Sequence, residues 1–117
     1  MENMHRIDSF GFGEISINGR WYRRDLILFP DHIQSDWRRT DGHLLQLEDL
    51  ETVLVRPVGK IIIGTGVYGR MKVAPRVIRR LQEDKLSFEI LTTDRAIESY
   101  RKTDSPAGTV CALHLTC

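Results

Sequence analysis

The sequence predicts a single α/β domain: a central, mixed but mostly parallel β-sheet flanked by helices, with a β-hairpin near the N-terminus. Three observations carry this. The run "KIIIG" at residues 60–64 is apolar at consecutive positions, as in a strand buried on both faces. Strand-like and helix-like patterns alternate from residue 60 to the end, and the right-handed crossover rule then favours parallel pairing. Finally, Asn18-Gly19 stands between "EISI" and "RWYRRDLILFP", and both residues tolerate the positive φ of a tight hairpin turn.

Each element follows from local chemistry. In the hairpin's second strand Tyr22, Arg24, Leu26 and Leu28 share one face and Trp21, Arg23, Asp25, Ile27 and Phe29 the other. Pro30-Asp31 ends it, and "HIQSDWRR" forms a further short strand closed by Thr40-Asp41-Gly42. Leu47, Leu50 and Leu54, with Val53, mark a helix that carries Glu48 and Asp49 in its first turn and is closed by Pro57 and Gly59. Pro75 suits the first position of a helix over "PRVIRRLQED", with Val77, Ile78 and Leu81 inward. "SFEILTT" is a strand, Thr93 or Asp94 caps "DRAIESYRK" with Ala96, Ile97 and Tyr100 inward, and Pro106–Gly108 turns into the final strand "TVCALHLTC".

The totals bound the function. The chain has 117 residues, a length of one domain, and residues 1–6 are expected to be a flexible lead-in. With 17 basic against 16 acidic residues the net charge is +1, so nothing global points to nucleic acid or an anionic membrane. The start "MENMHRIDSF" lacks the apolar core of a secretory signal, and no apolar run approaches the roughly 20 residues of a membrane span. Cys111 and Cys117 are the two cysteines. Along an extended strand they stand roughly 20 Å apart, so both read as reduced thiols of a cytoplasmic protein.

"IIIGTGVYGRM", residues 61–71, contains the spacing G-x-G-x-x-G at Gly64-Thr65-Gly66-Val67-Tyr68-Gly69. A dinucleotide fingerprint needs its helix to open at the glycines and an acidic residue to close the next strand. Here the helix waits until Pro75, the next strand ends in Leu91-Thr92-Thr93, and the lysine of a P-loop is missing. Two readings stay open: a turn that needs glycine for backbone packing, and an anion-binding nest of amides at the end of a central strand.

Other residues invite chemistry. On an extended strand His114 and Cys117 point to opposite sides, and a terminal carboxylate beside Cys117 opposes thiolate formation. His5 and His32 read as solvated, His43 as a turn residue after Gly42, and no zinc spacing occurs among the four His and two Cys, so neither metal nor cofactor is expected. "DWRRTDGH" offers Trp37, Arg38 and Arg39 as an aromatic and cationic anchor for a partner or anion. Arg20, Arg23, Arg24, Arg70, Lys72, Arg76, Arg79 and Arg80 add a local basic share without interleaved aromatics.

Taken in order, "DWRR", "GH", "IIIGTG", "TTDRA" with Tyr100, and the ending "HLTC" resemble a family of small proteins of unknown biochemical function. Its eukaryotic members include the adipogenesis-associated domain protein and the third assembly factor of mitochondrial respiratory complex I. The matching positions are Trp37, Arg38, Gly42, His43, Gly64, Thr65, Gly66, Thr93, Ala96, Tyr100, His114, Thr116 and Cys117. Arg101 departs from the pattern, where relatives carry Asn. The resemblance implies a compact α/β domain with a mixed sheet and brings no catalytic residue with it.

The expectation is therefore an interaction or assembly module, a protein partner or a second copy being its target. The alternative is a small enzyme or binding protein holding an anionic metabolite at Gly64–Gly69. The candidate residues are Trp37, Arg38, Arg39, His43, Gly64, Thr65, Gly66, Tyr68, Gly69, His114 and Cys117.

Overall fold

Branched side chains at Ile61, Ile62 and Ile63 favour extended backbone and alternate sides, so one short strand feeds two cores. In the computed structural model, which describes residues 5–117, this strand is β7 (Lys60–Gly64). It lies inside a five-stranded sheet ordered β5 (Ile33–Gln34), β4 (Leu26–Leu28), β10 (Thr109–Leu113), β7, β9 (Ser87–Leu91). β7 pairs in parallel with both β10 and β9, whereas β4 pairs antiparallel with β10 and with β5. The sheet is thus evenly mixed, and the mostly parallel expectation is corrected. The physical reason is that the polypeptide leaving the N-terminal hairpin inserts β4 beside β10, against its direction.

A three-stranded antiparallel sheet holds β1 (Ile7–Gly11), β2 (Glu14–Ile17) and β3 (Arg20–Tyr22). The β2–β3 hairpin is the expected one: Asn18 and Gly19 have φ of 52° and 81°, and Ile17 faces Arg20 across the turn. Its second strand does not run on to Phe29 as expected. It breaks at Arg23–Asp25, because β3 stays with β2 while β4 joins the large sheet. A small parallel pair, β6 (Leu44–Leu45) with β8 (Lys72–Val73), completes the strands.

Three helices cover the sheet. A 3-10 turn at Leu47–Leu50 leads into the short α1 (Glu51–Leu54), where Asp49 accepts from the Gln46 amide at 2.8 Å. The helix expected up to Pro57 stops at Leu54, in a stretch where Thr52, Val53 and Val55 disfavour helix. α2 (Pro75–Glu83) opens on its proline, and α3 (Thr93–Arg101) follows β9 directly. Thr92, not Thr93 or Asp94, occupies the cap position of α3, because Thr93 is drawn inward by other contacts described below.

The period-two alternation sorts the core. Ile61, Ile63, Val110, Ala112, Ile27 and Phe29 meet Val77 and Leu81 of α2 and Leu50 and Val53 of the α1 segment. Ile62, Cys111, Leu113, Leu26 and Leu28 face Ala96, Ile97 and Tyr100 of α3 and Ile15 and Ile17 of β2. Burying each Ile of β7 stabilises the fold by about 2 kcal/mol. Of the residues expected to be a flexible lead-in, 1–4 lie outside the described residues. His5, expected to be solvated, is buried and donates Nε2–H to the Phe29 carbonyl at 2.6 Å, and the Arg6 amide donates to Asn18 at 2.7 Å. Among the described residues no helix is long and apolar enough to cross a membrane.

Candidate functional site

Three parallel strands end together, so the backbone leaves β7, β9 and β10 at one edge of the sheet as Thr65–Arg70, Thr92–Thr93 and His114–Cys117. Asp25 reaches the same edge, because antiparallel β4 starts opposite Leu113. This carboxyl edge is where open α/β sheets tend to place ligands.

Main-chain packing dominates the glycine loop. The fully buried Thr93 hydroxyl accepts from Gly66 N–H at 2.8 Å and donates to the His114 carbonyl at 2.6 Å. A Cβ on Gly64 would stand 2.9 Å from Leu113 Cδ2 and 3.2 Å from Thr93 Cα, and one on Gly66 would stand 2.6 Å from the backbone carbonyl carbon and oxygen of Cys117. Gly66 also has φ of 109°. Most loop amides are occupied internally: Thr65 donates to Leu91 O, Val67 to Thr116 O, Gly69 to Gly66 O and Arg70 to Cys117 O, at 2.7–3.2 Å.

Beside the loop sits a charged cluster. Asp25 Oδ2 accepts from Arg39 Nη2 and from His114 Nδ1, both at 2.7 Å, and Oδ1 accepts from the Leu115 amide at 2.8 Å. Burial acts to raise the Asp25 pKa, but the hydrogen bonds from His114, Leu115 and Arg39 together outweigh it and hold the carboxyl below its ordinary range. Arg39 Nη2 also lies 3.1 Å from His114 Nδ1. One nitrogen cannot both donate to a carboxylate and accept from a guanidinium, and the shorter contact assigns the Nδ1 proton to Asp25. In the neutral ring the lone pair is then on Nε2, 3.5 Å from Thr116 Oγ1.

The structure separates residues that look alike in sequence. Trp37 is buried, its Nε1–H on the Asp49 carbonyl at 3.0 Å and its ring under the Arg39 guanidinium at 4.7 Å. Arg38 points away and pairs with Asp36 at 3.2 Å on the exposed surface. The Arg39 side chain is only 4% exposed, and its Nε and Nη1 have no partner among the described residues. His43 is exposed, edge-on to His114 with centroids 6.4 Å apart, and its Nε2 lies 3.8 Å from Cys117 Sγ. Gly69 completes the loop turn at φ of 67°, while Tyr68 projects outward, 67% exposed, its ring 6.2 Å from that of Phe12, itself 58% exposed.

Arg39, His43, Gly64, Thr65, Gly66, His114 and Cys117 thus gather at one edge, Trp37 lies behind, Tyr68 stands at the rim and Arg38 is elsewhere. Asp25, the hub of the cluster, is absent from the sequence-derived candidates, and so is Phe12. An acid directly before the apolar "LIL" was the available signal for Asp25, since aspartate is depleted in strands. Arg101, the departure from the family pattern, donates to the Ile7 carbonyl at 2.8 Å and ties α3 to β1. Among the described residues no three His, Cys, Asp or Glu side chains gather as metal ligands. A separate open groove of about 810 Å³ lies at the opposite sheet edge, lined by Lys60, Ser87, Arg95, Ser99 and Thr109 among others.

Fold and site together define a small mixed α/β domain whose sheet edge is closed by its own glycine loop and C-terminal segment. Residues 7–114 match the model of a protein family of unknown function, DUF498/DUF598, and the chain belongs to that family. Solved structures agree in fold. Conserved hypothetical protein PH1505 from Pyrococcus horikoshii OT3 is 24% identical with a TM-score of 0.80, over 96% of this chain and 99% of that one. The protein MT938 is 28% identical with a TM-score of 0.76, over 97% and 99%. A Bordetella pertussis protein described as an Mth938-like domain is 15% identical with a TM-score of 0.65, over 98% and 88%.

Proposed function

We propose that the chain is a non-enzymatic protein-interaction or assembly module that docks a protein partner through the rim of this sheet edge. The carrying observation is the pairing of Phe12 and Tyr68, two exposed aromatic rings from distant segments standing together. Exposed aromatics of this kind anchor interfaces. The polar groups of this sheet edge hold one another and the backbone, as Asp25, Thr93 and Gly66 do. Two unbridged cysteines, Cys111 and Cys117, fit a reducing, cytoplasmic setting for such a module. The test is capture from a native lysate with wild type and a Phe12→Ser/Tyr68→Ser double variant in parallel. A partner retained by wild type and lost by the variant supports the reading, and identical sets oppose it.

A second reading, an anionic metabolite at this edge, has in its favour the Nε and Nη1 of buried Arg39, which have no partner among the described residues. With most loop amides occupied, such a ligand would rest on the Arg39–His43 side rather than on Gly64–Gly69. Thermal shifts with phosphate, citrate and ADP test it: stabilisation by one of these anions that is lost in His43→Ala supports the reading, and no shift with any of them opposes it.

A further inference from the structure

We propose that Cys117 and His43 form a thiol–imidazole pair that exchanges with low-molecular-weight disulfides, making Cys117 a site of reversible S-thiolation. The first support is geometric. Sγ and Nε2 are 3.8 Å apart, and both residues are held by one segment: Arg70 N–H donates to the Cys117 backbone oxygen at 2.9 Å and Lys72 N–H to the His43 carbonyl at 2.8 Å. The main chains that carry the two side chains are therefore held side by side by the segment that carries β8.

Access is the second support. His43 is exposed and Cys117 half-buried, whereas Cys111 is wholly buried, and its desolvation pushes that thiol far up from its ordinary pKa. The two thiols are thus sharply unequal. The third support lies behind the pair. His114 backs His43 edge-on and is itself fixed by Asp25, which also holds Arg39, whose Nε and Nη1 lack partners among the described residues. This wall is an ion-paired Asp25–Arg39 unit with His114 against it, which holds the imidazole side of the pair in place.

The step balances without a further oxidant. His43 Nε2 takes the Cys117 proton as the sulfur attacks one sulfur of the small disulfide. A new S–S bond forms, the old one breaks, and the departing thiolate takes the proton from His43. Cys117 is oxidised to the mixed disulfide while the other half of the reagent is reduced to a thiol, and a free thiol in excess reverses it.

The test uses the whole protein with oxidised glutathione, read by intact mass, and the chromogenic aromatic disulfide used for thiol titration, read by absorbance. One thiol per folded molecule is expected to react about tenfold faster than free glutathione at the same pH, the His43 base outweighing the opposing carboxylate beside Cys117. His43→Gln is expected to slow it by about tenfold while thermal unfolding stays unchanged, since His43 is exposed. Peptide mapping of wild type places the adduct on Cys117, and Cys111 reacts only after denaturation, so the assignment does not depend on a cysteine variant folding. A Cys117 rate no faster than free glutathione, or a His43→Gln rate equal to wild type, overturns the proposal.

Discussion

The buried hydroxyl of Thr93 donates to the backbone oxygen of His114 at 2.6 Å, and with its other side accepts the Gly66 amide at 2.8 Å. One side chain at the start of α3 thus joins the ends of β7 and β10. Thr93→Val keeps the shape but leaves two buried backbone groups unpaired. It is expected to cost about 2–3 kcal/mol in urea unfolding, while Thr93→Ser retains most of the stability.

Gly66 and Gly19 both have positive φ, yet they should respond differently to alanine. A Cβ on Gly19 meets nothing within 4 Å, so only the backbone conformation is strained, at about 1 kcal/mol. A Cβ on Gly66 would strike the Cys117 backbone at 2.6 Å, and Gly66→Ala is expected to cost at least about 3 kcal/mol or to displace the C-terminal segment. Parallel denaturation curves of the two variants check this.

Arg38 and Arg39 are adjacent and chemically identical, and only the burial of their side chains distinguishes them. Arg38→Ala removes an exposed ion pair and should change stability by about 0.5 kcal/mol or less. Arg39→Ala removes the partner of the mostly buried Asp25 and should cost about 3 kcal/mol. Comparable losses for the two would refute the assigned burial.

Asp25 makes stability depend on pH. Its folded pKa is depressed, so its contribution is fully present above the unfolded value and is lost as pH falls through the folded one. Wild-type stability should therefore decline below about pH 4. Asp25→Asn should be less stable at neutral pH and show a shallower decline in acid, as measured by urea unfolding across pH.

The alternating and apolar patterns made most of the fold legible. The Asn18-Gly19 turn, buried β7, Pro75 at the start of α2 and the inward face of α3 all follow from local chemistry. The direction of β4 was not legible, because a break at Arg23–Asp25 depends on which sheet receives the next residues. The site was legible as residue types and not as roles. His43, Gly66, His114 and Cys117 gather at one edge, but Asp25 acquires its importance only from partners far along the sequence, Arg39 and His114. Gly64 and Gly66, which look like a phosphate loop in sequence, are required by the Leu113, Thr93 and Cys117 atoms against which they pack.

The most direct test of the central claim is the affinity of a captured protein partner for wild type and for the Phe12→Ser/Tyr68→Ser variant, measured by calorimetric titration. Removing the exposed aromatic pair is expected to weaken binding by about a hundredfold, near 2.7 kcal/mol, while the unfolding temperature remains that of wild type. Equal affinities for the two proteins would contradict the account.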